Sequence, residues 1–192
     1  MKKKIIIPIA IAIIIAIVAI IAIMNNSNKH SANLNTTKEI KTALKTIQKN
    51  LGGTLPDLEV TEINPKDSEL VSSYTYLTDP SIITSLVVAE PTMSSQAYLA
   101  LIFKVKDNVN VEEVKKELLE NIDMNRWICV SADVLYITNN GNTIFAVMSF
   151  EDWATPVYNE FVKYVDNNVG KTLEKTADDI ELPETNLPQV TE

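Results

Sequence analysis

The longest apolar stretch of this chain lies at its beginning. Residues 5–24 are apolar and uncharged throughout, and Lys2, Lys3 and Lys4 precede them. At about 1.5 Å of rise per residue, a helix of this length crosses a hydrocarbon core of about 30 Å. Because lysines collect on the cytoplasmic flank of a span, we expect residues 1–4 inside, residues 5–24 as a single transmembrane anchor and the rest of the chain outside.

The composition of this run bears on its processing and its packing. A cleaved secretory signal has a shorter apolar region, about 7–15 residues, with a small-x-small cleavage site after it. Here that pattern, Ala10-Ile11-Ala12, falls inside the run, so we expect an uncleaved anchor. Ala12, Ala16 and Ala19 share one helical face and are candidates for packing against another span. The alternative is that alanine merely fills the span.

Four later stretches carry helix signals, which are apolar residues at helical spacing in three of them and the helix-start pair Asn64-Pro65 in the other. The first, residues 37–51, follows the capping pattern Thr36-Thr37-Lys38-Glu39 and stops at Gly52-Gly53. The other three predict helices at about residues 64–73, from Val111 to beyond Arg126, and from Thr155-Pro156 to Gly170.

Runs rich in β-branched residues predict four strands, at residues 82–90, 97–105, 134–138 and 143–149. Asn140-Gly141 between the last two predicts a hairpin. The second and fourth runs are almost continuously apolar, which is typical of strands buried on both faces, so we expect them at the centre of a sheet. The order α-α-β-β-α-β-β-α predicts an α+β domain, with a four-stranded, mostly antiparallel sheet and helices packed mainly on one face.

Polar segments divide the chain into regions. Residues 25–35 are rich in asparagine and aperiodic, and we expect a flexible stalk. Residues 36–170 have the length of one ordinary extracytoplasmic domain. Residues 171–192 carry six acidic residues, two lysines and two prolines, which predicts a disordered acidic tail.

The charge balance limits the class of ligand. After residue 24 the chain has 14 basic and 25 acidic residues, a formal charge of −11. This acidity argues against nucleic acid, teichoic-acid-like polymers and anionic lipid headgroups as primary ligands. It is compatible with cationic peptides, metal ions or a neutral protein partner, and also with solubility alone.

The sequence contains no recognisable catalytic motif. Its four glycines are too few and too scattered for a phosphate-binding loop. The one cysteine, Cys129, forms no internal disulfide, and its apolar neighbours predict a buried, inert thiol. The one histidine, His30, falls in the predicted stalk and leaves Cys129 without a base. We therefore expect no catalytic residue, no cofactor and no metal.

Six residues remain as candidates for ligand binding. Asp107, Glu151 and Asp152 follow predicted strands, where carboxylates can bind a cation or act as acid and base, although acids are also common in turns. Trp127 and Trp153 could stack on a ligand or anchor a partner, although core packing is the alternative. Arg126, the only arginine, could bind a carboxylate, or form an ordinary surface ion pair.

Two segments of the chain resemble a known family. These are Ile102-Phe103-Lys104-Val105-Lys106-Asp107, followed by a Val111-to-Leu118 helix pattern, and the stretch from Asn140 to Ser149 before a final helix. Together they resemble small extracytoplasmic domains of unknown function from low-GC Gram-positive bacteria, over roughly residues 80–170. The resemblance implies a lipoprotein or membrane-anchored location and a similar fold. This chain lacks the N-terminal lipidation cysteine of the lipoprotein members, and the family supplies no catalytic residues.

These observations predict a non-enzymatic interaction or accessory module at the outer face of a bacterial membrane, with an envelope protein as its partner. One alternative is a small-ligand or cation-binding domain, in which Asp107, Glu151 and Asp152 or the two tryptophans line a cleft. The other is a cell-wall hydrolase that uses two carboxylates facing one cleft.

Overall fold

The computed structural model describes residues 34–93 and 95–179. The helices and strands in these ranges are α1 Thr37–Leu51, β1 Leu58–Ile63, α2 Ser68–Thr75, β2 Ile83–Pro91, β3 Tyr98–Val105, α3 Val111–Asn121, β4 Val134–Asn140, β5 Thr143–Ser149, α4 Glu151–Tyr164 and β6 Leu173–Thr176. The predicted anchor, with Ala12, Ala16 and Ala19, lies outside the described residues. No helix within the described ranges combines the length and apolar composition needed to cross a bilayer.

The strands form one sheet in the order β1-β2-β3-β5-β4-β6, and each strand runs antiparallel to its neighbours. β3 lies between β2 and β5, and β5 lies between β3 and β4. The prediction that these two strands are central is therefore confirmed. The prediction of a four-stranded sheet is wrong, because the described residues form six strands, with β1 and β6 as edge strands.

The prediction that the helices pack mainly on one face is also wrong. α1 and α4 cover one face of the sheet, here called the α1/α4 face, and α2 and α3 cover the other, the α2/α3 face. Side chains of β3 alternate between the two: Leu99 and Leu101 are buried on the α2/α3 face, whereas Tyr98 and Ile102 are buried on the α1/α4 face. A continuously apolar strand needs a covering layer on each side, and four helices supply both layers.

The first helix and the hairpin have the predicted local chemistry. The Thr36 hydroxyl accepts from the Glu39 N–H at 3.3 Å, and the Glu39 carboxylate accepts from the Thr36 N–H at 2.9 Å. These reciprocal bonds form the expected capping box, and α1 ends at Gly52 with φ 57°. Gly141, also at φ 57°, takes the first turn position of the β4–β5 hairpin, where a positive φ favours glycine.

Other helix boundaries differ from the predicted ones. α2 begins at Ser68, after Asp67, whose carboxylate accepts from the Leu70 N–H at 3.1 Å. α3 ends at Asn121, well before Arg126. α4 begins four residues earlier than predicted, contains Pro156 in its interior and ends at Tyr164 rather than at Gly170.

The beginning of the segment predicted as a disordered tail is ordered. β6 pairs with β4 through the register Val134 to Thr176 and Ile137 to Leu173. Just before β6, the Gly170 N–H donates to the Asn139 carbonyl at 2.8 Å. Gly170 permits this approach because a Cβ at that position would collide with the Asn139 side chain.

Lys115 of α3 is fully buried and binds this segment from the interior. Its ammonium donates to the Asn139 side-chain oxygen at 2.7 Å and to the Lys171 carbonyl at 2.6 Å, and it pairs with the Glu112 carboxylate at 2.6 Å. A lysine ammonium has three N–H donors, so each has a partner here. This contact joins α3, β4 and the chain that enters β6.

We expect the Lys115→Met substitution to destabilise the domain by about 3 kcal/mol, because the Asn139 and Lys171 oxygens lose a charged donor inside the fold. Chemical denaturation measures the loss, and hydrogen exchange should show the largest increase at residues 171–176. The matched control is Lys116→Met, which changes an exposed lysine on the same helix. Equal stability of the two variants would contradict this assignment.

The Gly170→Ala substitution should lower the free energy of unfolding by about 1–3 kcal/mol, since the added methyl group displaces the Asn139 side chain. Gly53→Ala is the control: a Cβ there meets nothing within 4 Å, and its φ is not positive. Thermal unfolding of both variants tests the expectation. A Gly170→Ala protein as stable as Gly53→Ala would show that the close approach at Asn139 is unimportant.

Candidate functional site

The structure separates the three carboxylates that sequence analysis proposed as a group. Asp107 follows the end of β3, whereas Glu151 and Asp152 follow the end of β5. Because β3 and β5 are antiparallel, their carboxyl ends point in opposite directions and lie about 20 Å apart along the strands. Asp107 instead accepts a hydrogen bond from the Asn142 amide at 2.8 Å, in its own turn region.

The two tryptophans are also apart. Trp127 packs against the core of the α2/α3 face, and Trp153 packs against the core of the α1/α4 face, with its ring 5.2 Å from that of Phe150. Neither the group of three carboxylates nor the pair of tryptophans therefore lines a shared cleft. Two of the six candidates, Arg126 and Trp127, do approach each other: the guanidinium lies 6.0 Å from the centre of the indole ring.

Arg126 is the centre of a group that we call the arginine cluster, formed by Tyr74, Tyr76, Glu90, Arg126 and Trp127. The Tyr74 hydroxyl donates to the Glu90 carboxylate at 2.6 Å. The Arg126 guanidinium lies 3.9 Å from the other Glu90 oxygen and 5.4 Å from the centre of the Tyr74 ring. Arg126 thus contacts a carboxylate and two aromatic rings at once. Its positive charge is attracted to the faces of both rings.

Three separate parts of the chain position this cluster. Tyr74 comes from α2, Glu90 from the end of β2, and Arg126 from the loop between α3 and β4. That loop is closed at its base, where the Ala132 N–H donates to the Met124 carbonyl at 2.9 Å and both side chains are buried. The closed base makes residues 125–131 project from the fold as a compact loop.

The electrostatics of the cluster follow from partial burial beside a carboxylate. Burial, together with the hydrogen bond to Glu90 and its negative charge, raises the pKa of Tyr74 to about 12, although the Arg126 charge acts in the opposite direction. Burial also raises the pKa of Tyr76, opposed by Arg126. Both phenols therefore stay neutral donors at physiological pH.

Each large hydrophobic residue that is exposed in the described ranges is close in sequence to a member of this cluster. Ile128, 84% exposed, follows Arg126 by two residues, and Met93, 65% exposed, follows Glu90 by three. Leu70, 39% exposed, precedes Tyr74 by one helical turn. Single exposed apolar side chains are ordinary, but three of them on the segments that build one cluster make these segments a candidate interaction surface.

The backbone of the projecting loop is unusual at Cys129. This residue has φ 66°, in the left-handed region that residues other than glycine rarely adopt. The sequence-based prediction of a buried thiol was wrong, because Cys129 is exposed. Strained backbone of this kind is frequent at binding sites.

A second concave feature lies at the opposite side of the sheet. A cleft of about 350 Å³ is lined by Glu151 and by three further acids, Asp133, Glu174 and Asp178. The Asp133 carboxylate accepts from the Glu151 N–H at 3.3 Å, so it serves as a cap for α4. In the part of the chain that the structure describes, no three His, Cys, Asp or Glu side chains converge on a metal position.

Sequence analysis identified Arg126 and Trp127 but missed the other members of the site. Tyr74, Glu90 and Met93 gave no local signal, because each is ordinary within its own segment. Their role arises from contacts between α2, β2 and the loop after α3. One usable signal was the apolar Ile128 in a segment with no helical or strand periodicity.

No protein-family model, curated protein or solved structure matches this chain. The resemblance to extracytoplasmic domains therefore stays a prediction. Any function must be argued from the geometry of the chain itself.

The Glu90→Gln substitution should lower the pKa of Tyr74 from about 12 toward 10, because it removes a negative charge while leaving the burial in place. NMR titration of labelled tyrosine rings measures this pKa. Glu69→Gln, an exposed change on α2, is the control and should leave it unaltered. Since the folded pKa exceeds the unfolded value, Tyr74 contributes stability below pH 10 that is lost as the pH rises to about 12. An unshifted Tyr74 in Glu90→Gln would refute the hydrogen bond.

Proposed function

We propose that this chain is a membrane-anchored, extracytoplasmic interaction module without catalytic activity of its own. It binds a protein of the cell envelope through the arginine cluster and the aliphatic side chains around it. The observation that carries this proposal is that the exposed side chains of Leu70, Met93 and Ile128 each lie within four residues, along the chain, of a member of the Tyr74–Glu90–Arg126 contact.

The residue types in this surface are those that dominate protein interfaces. Tyrosine, tryptophan and arginine are enriched among residues whose truncation weakens binding most. Here Tyr74 and Arg126 are held in place by Glu90, so little side-chain entropy is lost when a partner covers them. Ile128 and Met93 add exposed apolar surface, and removing this surface from water stabilises a complex.

The surrounding charge favours a particular partner. Glu90 belongs to the cluster and Asp123 is close enough to influence the pKa of Tyr76. A partner surface with apolar groups and a positive rim would complement this site better than an acidic one. The apolar run at residues 5–24 and its flanking lysines support the proposed location at a membrane.

The two alternative functions have weaker support. A cation-binding site made of Asp107, Glu151 and Asp152 is disfavoured, because Asp107 lies at the opposite end of the strands from the other two residues. A carboxylate-dependent hydrolase would have to use the acidic cleft, where Asp133 is engaged in capping α4. The surface around Arg126 is therefore the better-supported site.

Site-specific photo-crosslinking in cells tests the proposal. With the photoactivatable residue at Met93, we expect one dominant adduct with an envelope protein. Ile128→Asp should reduce this adduct by at least tenfold, because it places a charge in the apolar part of the interface. The captured protein, once identified and purified, should bind the wild-type chain directly and bind the Ile128→Asp variant at least tenfold more weakly.

The matched control is Asn108→Asp, which adds the same single charge at an exposed position beyond β3. It should leave the Met93 adduct unchanged. An adduct that survives Ile128→Asp, or that forms equally from a photoactivatable residue at Asn108, would refute this surface as the binding site.

A further inference from the structure

The outward face of α1 carries a line of lysines. At about 100° per residue, Lys38, Lys45 and Lys49 fall within about 40° of one another, on the side opposite the buried residues of the helix. Those buried residues are Ile40, Ala43, Leu44 and Ile47. We call Lys38, Lys45 and Lys49 the lysine ridge. Thr42 lies between its members, and no acidic residue of α1 shares this direction.

The three ridge ammonium groups have no partner among the described residues. Lys41, on the flank of the same helix, pairs with Glu62 at 3.0 Å. On the other flank, Glu39 is engaged in the capping box and Glu160 of α4 binds Lys163 at 2.9 Å. Asp57 lines the same cleft as Lys45 and Lys49, but no ion pair joins it to either in the described part of the chain. The ridge therefore presents three ammonium groups without a direct ion-pair partner.

This concentration is unusual for so acidic a chain. After residue 24 there are 25 acidic residues against 14 basic ones, so an even distribution would leave few surfaces with net positive charge. The domain as a whole repels anionic surfaces, yet this one helix face attracts them at close range, within a Debye length of about 8 Å. The negative net charge of the chain therefore predicts the wrong sign for the charge of this helix face.

The position of α1 in the chain bears on which surface the lysine ridge can contact. α1 is the first described helix after residues 5–24, and twelve residues lie between Met24 and Thr37. Over the thirteen Cα–Cα steps from Met24 to Thr37, at no more than about 3.6 Å each, the connection spans at most about 47 Å, a length that permits α1 to contact a membrane holding the apolar run.

We propose that the lysine ridge docks on anionic lipid headgroups of the membrane that holds the anchor. This inference rests on the membrane anchor of the proposed function, but it does not depend on the partner surface. Each lysine close to an anionic bilayer favours the docked orientation about fivefold, so three favour it about a hundredfold.

Docking in this way fixes which side of the domain faces outward. The ridge belongs to the α1/α4 face, whereas Tyr74, Tyr76 and Trp127 pack on the α2/α3 face of the same sheet. With α1 on the lipid, the arginine cluster is turned away from the membrane, where a partner in the envelope can reach it.

The test uses the full-length chain in lipid vesicles. A fluorophore is attached at Thr42→Cys in a Cys129→Ser background, and the vesicles carry a headgroup quencher. We expect several-fold stronger quenching in phosphatidylcholine vesicles that contain phosphatidylglycerol than in phosphatidylcholine alone. Replacing Lys38, Lys45 and Lys49 with glutamine should remove this difference, and so should high salt.

The control removes the same charge elsewhere, with Lys66, Lys106 and Lys116 changed to glutamine, and should retain the lipid dependence. A chain that does not float with the vesicles would overturn the proposed anchor and this inference together. A chain that floats, but whose label is quenched equally in both vesicle types or equally in both triple variants, would overturn the lysine ridge alone.

Discussion

Burial of both faces of the central strands is the constraint on which this structure depends. β2, β3 and β5 are apolar almost throughout, so each must be covered on two sides. With four helices available, two cover each face: α1 lies on one face, α2 and α3 lie on the other, and α4 returns to the first. The same constraint leaves α1 and α2 on opposite sides of the sheet. The lysine ridge and the arginine cluster are therefore separated by the whole thickness of the sheet.

The edges of the sheet are held by a different kind of interaction. β1 contributes Leu58, Val60 and Ile63 to the two cores, but β6 has only four residues with one apolar side chain, so its own burial cannot hold it in place. β6 instead depends on polar contacts made by residues that lie far apart in sequence. Lys115 reaches it from α3, and Gly170 joins it to Asn139 of β4. A buried lysine is tolerated here because its three donors all have acceptors.

These two kinds of interaction explain how much the sequence could predict. α1, the hairpin and the central position of β3 and β5 follow from local caps, a turn glycine and apolar runs. The helix arrangement was also predictable in principle, since strands buried on both faces already require helices on both faces. β1 and β6 were missed because their pairing is specified by distant partners. At the site, Arg126 and Trp127 stood out as rare residue types, whereas Tyr74, Glu90 and Ile128 become significant only after folding.

Charge shows the same difference between composition and arrangement. A net charge of −11 after residue 24 suggests that this domain avoids anionic surfaces. Screening, however, limits electrostatic interactions to about 8 Å, so a surface responds to the few charges nearest to it and not to the sum. Around α1, the cap and the ion pairs engage Glu39, Glu62 and Glu160, and Asp57 shares a cleft with Lys45 and Lys49 without pairing to them, so the three ridge ammonium groups stay free of direct ion pairs. An acidic domain can thus keep one basic face, and the excess of acid elsewhere disfavours every other orientation on an anionic bilayer.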